Sequence, residues 1–160
     1  MNETGTGDRV ALPATTRSRY LTAETALNIP TPEGTGDWHF AETFEGYGGR
    51  RPGRFCVAGV DTLDTTLWLG QEGLFDARSR LEPYGLHLPP GPVYAADHYR
   101  ALADRVITAV VAGEAFEDCL LLEDWLPEAE EQERLMRLLE KARPALSALQ
   151  WRRIVAWGKR

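Results

Sequence analysis

Pro144 stands between two stretches of helical periodicity, and it forces the end of the chain into a helical hairpin. Proline has no amide donor, and its ring clashes with the preceding turn, so no helix runs through it. Upstream, Leu135, Leu138, Leu139 and Ala142 recur on one face, which predicts a helix opened by Pro127 and ended at Arg143. Downstream, Ser147 and Gln150 have the spacing of a capping box, in which each side chain satisfies an amide that the helix start leaves free. Leu146 and Trp151 have the spacing of a hydrophobic staple around that cap, and Trp151, Ile154 and Val155 continue the apolar face as far as Gly158.

The charge of this segment reverses once. Every charged side chain from Glu114 to Glu133 is acidic, and from Arg134 onward all but Glu140 are basic. A helix favours anions at its start and cations at its end, by about 0.3–1 kcal/mol each. Pairs such as Glu130 with Arg134 and Glu133 with Arg137 add support across one turn. Those effects account for the helix from Pro127 to Arg143. They leave Arg152, Arg153, Lys159 and Arg160 either as an ordinary solvated face or as a basic surface for a partner.

A chain of 160 residues is long enough to bury one proper core. Its 43% apolar content and five tryptophans suit a globular domain. The net charge of −6 opposes nucleic acid overall, although a local patch can still bind it. No segment has the run of apolar residues needed for a membrane span, and Met1 to Thr16 lacks the apolar region of a signal peptide, so a cytoplasmic location is expected. Cys56 and Cys119 lie in apolar contexts and read as buried free thiols.

Residues 1–18 lack periodicity and read as a disordered arm, which leaves 19–160 as a single globular domain. A short helix over Tyr20–Leu27 is expected to stop before Pro30. Trp38, Phe40 and Phe44 alternate as in a half-buried strand, and Arg54–Val60 is a second strand candidate. Together they predict a hairpin whose long loop carries Arg50, Arg51 and Arg54. Residues 61–73 show no winning period. Leu74 to Tyr84 reads as a helix closed by Gly85, and Val93 to Ala112 as a strong helix with Pro92 at its first turn and Tyr99, Leu102, Val106 and Val110 as its stripe. Phe116–Glu123 fits either a buried strand or a helical turn. The fold class is α+β: a small antiparallel hairpin or sheet packed against C-terminal helices, mostly helical after residue 92.

Chemistry-bearing patterns are sparse. His39 follows Asp37 and Trp38 after a glycine-rich turn, and His98 follows Asp97 at a helix start. With Asp61 and Asp64, these imidazoles and carboxylates would suit a divalent metal if the fold gathered them, but no pair has diagnostic metal-ligand spacing. The alternative is surface or hydrogen-bonding histidines. Glu33–Asp37 ends in an acid where a phosphate loop needs a lysine, so it reads as a turn. No serine sits in a nucleophile elbow, and no pattern asks for a cofactor. Tyr47 beside Arg50, Arg51 and Arg54 makes a loop tip that either contacts nucleic acid or serves solubility.

The block from Arg19 to Pro30, running into Gly34–Phe40, resembles a motif of small bacterial proteins associated with nucleotidyltransferase-type toxins of abortive-infection systems; weaker matches fall at Ala95–His98 and Asp124–Pro127. The resemblance implies an accessory or antitoxin-like role and carries over no functional residue. The winged-helix reader that known antitoxins of that kind often carry has no counterpart in this chain. The leading expectation is therefore a factor that binds a partner protein, such as a toxin enzyme, through Trp38, Arg50, Arg51, Arg54, Arg152 and Arg153. The alternative is a small metal-dependent hydrolase using His39, His98, Asp37 and Asp97.

Overall fold

The computed structural model describes residues 11–33 and 55–160. Named in order among them, the elements are α1 (Ala23–Leu27), α2 (Thr66–Leu69), β1 (Leu74–Asp76), α3 (Arg78–Leu81), β2 (Tyr94–Ala96), α4 (His98–Ala112), α5 (Leu122–Trp125), α6 (Ala129–Glu140) and α7 (Ala148–Gly158). The class is α+β, with a small antiparallel sheet against helices. β1 and β2 pair with Leu74 opposite Ala96 and Asp76 opposite Tyr94.

This sheet joins segments other than Trp38–Phe44 and Arg54–Val60, whose alternation predicts a hairpin. The first of those segments lies outside the described residues. In the second, the bridges made to described residues are single ones: Val57 with Leu21, and Ala58 with Thr62. Leu21 is the hinge of this small architecture. It bridges β2 on one side, donating to the Tyr94 carbonyl and accepting from the Ala96 amide, while its neighbour Tyr20 accepts from the Ala58 amide on the other. Each contributing segment is too short to show a period of two.

Two expected helices begin later than their apolar patterns suggest. Leu74–Asp76 is strand; the helix starts only at Arg78, whose amide is taken by the Asp76 side chain, and a 3-10 turn over Glu82–Tyr84 leads to Gly85 in the left-handed region, as expected. Likewise Tyr94–Ala96 is strand, and α4 starts at His98 because Asp97 accepts the Arg100 amide as its N-cap. An aspartate side chain reaching forward to a free amide outweighs Pro92 as the starting signal.

α4 is the centre of the molecule. Eleven of its fifteen residues are buried, including Ala101, Ala103 and Ala109 as well as the expected stripe. Alanine on several faces lets α1 and α6 approach closely, and a helix buried all round is an interior helix. α7 packs on the same core through Ile154 and Trp157, with the Ser147–Gln150 capping box formed in both directions. α6 is shorter than predicted: it runs from Ala129, capped by Glu128 and Glu131, to Glu140, and Arg143–Ala145 forms a separate 3-10 turn around Pro144. Phe116–Glu123 holds no strand; it makes turns leading into α5.

Of the arm expected over residues 1–18, residues 11–18 are described; most are exposed, but two positions are anchored to the fold. Leu12 is buried and donates its amide to the His87 carbonyl, and Thr15 accepts the Tyr94 amide. Leu12 belongs with Leu21, Ile29, Ala77, Leu81, Val93 and Ala95 to a second, smaller core on the far side of the sheet from α4. Alternation along β2 divides the two cores, since Ala95 faces the small one and Ala96 the large one. Both cysteines are free, but Cys56 is only half-buried and Cys119 is exposed, because the turn after Phe116 points it outward. Among the described residues, no helix is long and apolar enough to cross a membrane.

Candidate functional site

Two polar clusters lie on α4, and only one opens to solvent. The closed one centres on Asp104. Its carboxylate accepts from Arg100 Nε at 3.1 Å, Tyr20 Oη at 2.7 Å, Thr22 Oγ1 at 2.7 Å and Thr65 Oγ1 at 2.5 Å. The Arg100 guanidinium also donates to the Gly70 and Glu72 carbonyls and lies over the Tyr20 ring. Burial pushes the Asp104 carboxyl up, against the pull of Arg100 and the three hydroxyls. Desolvation and the neighbouring carboxylate push the Tyr20 hydroxyl well above its ordinary range. Arg100 and Asp104 have no exposed surface, and every donor is paired. Such a cluster has no access for a substrate; it ties α4 to residues 20–22 and 65–72.

The open cluster sits at the start of α4, where segments 31–33, 73–75 and 97–99 line a cavity of about 100 Å³. Gly73 makes the geometry possible. It has φ +79°, its carbonyl accepts the Asp97 amide, and a Cβ there would lie 2.8 Å from Asp97 Oδ1. Asp97 Oδ1 holds the Arg100 amide at 2.8 Å while Oδ2 lies 3.9 Å from Arg134 Nη2. Arg134 reaches over from α6, stacks 4.0 Å above the Tyr99 ring and holds both Glu33 oxygens, at 3.1 and 3.2 Å. Burial raises the Asp97 carboxyl above its ordinary range, opposed by the Arg100 amide and the Arg134 charge.

His98 lines the same cavity and is 3% exposed. Burial lowers its imidazole, opposed by a hydrogen bond with the Ile29 backbone, so the ring is neutral near pH 7. A ring nitrogen bonded to a backbone carbonyl carries the proton, which leaves Nε2 as a bare acceptor. No hydrogen-bond partner for Nε2 exists among the described residues.

The structure thus brings Asp97 and His98 together and adds Glu33, Tyr99 and Arg134, none of which local sequence patterns single out for this site. Asp37, Trp38, His39, Arg50, Arg51 and Arg54 lie outside the described residues. Asp61 and Asp64 serve local turns instead: Asp61 accepts the Val57 amide, and Asp64 accepts the Thr66 amide and hydroxyl. Among the described residues, no group of three His, Cys, Asp or Glu side chains gathers to hold a metal ion. The Cys56 thiol is pushed up by burial and by Glu24 and Asp61, the opposite of an activated nucleophile.

The charge reversal of the C-terminal third is largely satisfied inside the molecule. Arg153 on α7 donates to the Glu117 carboxylate and the Glu114 carbonyl, and Arg160 to Asp118 and the Glu117 carbonyl. Arg152 and Lys159 are exposed and make no ion pair among the described residues. They share the outer face of α7 with Leu149, which is 64% exposed. No protein-family model, curated protein or solved structure matches the chain.

Proposed function

We propose that the chain is an accessory factor that works by binding a partner protein, and that the outer face of α7 docks an acidic surface on that partner. One observation carries the reading. Leu149, Arg152 and Lys159 recur at helical spacing on an exposed face, with an apolar side chain beside uncommitted cations, in a chain of net charge −6. Arg153 on the same helix and Arg160 just past its end are satisfied within the fold, so this pair stands apart from a general basic surface. An exposed leucine supplies burial on docking, and the cations supply orientation and salt-dependent association. The antitoxin-like form of this role, masking a toxin enzyme, rests on the resemblance of the Arg19–Phe40 block.

The test is capture of the partner from the native host with the tagged chain, compared with a Leu149→Asp, Arg152→Glu, Lys159→Glu triple variant. Loss of one acidic protein from the captured set, with an unchanged unfolding midpoint, is expected. An identical captured set would remove α7 from the interface. The hydrolase alternative is checked on the same preparation: stoichiometric zinc or manganese, lost on His98→Ala, would replace the binding role with metal chemistry.

A further inference from the structure

We draw no further inference here: the strongest candidate, the open apolar groove walled by Leu12, Phe55 and Val57 with Arg19 and Asp61 beside them, carries none because nothing in the structure shows what covers it.

Discussion

Arg100 and Asp104 stand one turn apart on α4 with no exposed surface, joined at 3.1 Å, and every remaining polar atom of the pair is met by a hydroxyl or a carbonyl. A buried ion pair is stabilising only relative to its broken form, because the desolvation of each charge is offset by the other. Residues 20–22, 65 and 70–72 carry little regular structure, and this pair is what they converge on.

Asp104→Ala is accordingly expected to cost about 3–5 kcal/mol, since it leaves the Arg100 guanidinium buried without a counter-charge. Asp104→Asn keeps two hydrogen-bonding atoms and should cost less. Urea unfolding of both variants checks the order; equal losses would mean that packing, not charge, holds the site.

Two glycines in the left-handed region separate strain from crowding. Gly85 has φ +68° and open space around it, so Gly85→Ala incurs the backbone strain alone, about 1–2 kcal/mol. Gly73 has φ +79°, and an added Cβ would lie 2.7 Å from Arg100 Cβ. Gly73→Ala adds an overpacking cost of about 1–3 kcal/mol to the same strain. Matched denaturation midpoints would refute the close approach of residues 73 and 97–100.

His98 sets a pH dependence. Its folded pKa is depressed by burial below the ordinary 6.5, so at mildly acidic pH the unfolded chain binds the proton that the folded one refuses. Stability from this group is present above about 6.5 and falls as pH drops through that value toward the lower folded pKa. Asp97, with a raised carboxyl, acts in the opposite sense further down, between its ordinary 3.8 and its folded value. Thermal melts of wild type and His98→Gln between pH 7.5 and 5 are expected to diverge below about 6.5, with the variant less sensitive.

Across the C-terminal clamp, Glu117 and Arg153 are only half-buried. A double-mutant cycle of Glu117→Gln and Arg153→Gln is expected to give a coupling of about 1 kcal/mol or less, shrinking with added salt. Trp157→Ala should be far costlier, about 3–5 kcal/mol, because it removes a buried indole that donates to the Leu120 carbonyl and packs edge-on against Phe116. Chemical denaturation at two ionic strengths distinguishes the contributions.

Legibility follows the range of the physics. The Ser147–Gln150 cap is readable because both partners lie within one turn. Gly85 and Gly113 are readable as stops because a left-handed residue after a helix demands glycine. Strands stay hidden where their pairing is tertiary: Leu74–Asp76 and Tyr94–Ala96 are three residues each and carry the same apolar character as the helices that follow them. At the candidate site, Asp97 and His98 are visible as neighbours, but Glu33 and Arg134 are separated by about a hundred residues of chain and meet only through α6. Asp61 and Asp64 resemble ligands in the sequence because carboxylates that cap turns and carboxylates that bind metals have the same composition.

By itself, the sequence determined the helical hairpin around Pro144, its Ser147–Gln150 cap, and the order of acidic and basic charge along it, all of which depend on contacts within a few residues. Only the tertiary structure decided where that charge goes. Folding α7 back onto residues 114–120 pairs Arg153 and Arg160 with acids more than thirty positions away and leaves Arg152 and Lys159 facing outward. Neighbours in sequence point to different sides of a helix, about 100° apart, so an arginine pair that reads as one basic patch becomes one clamp and one free surface.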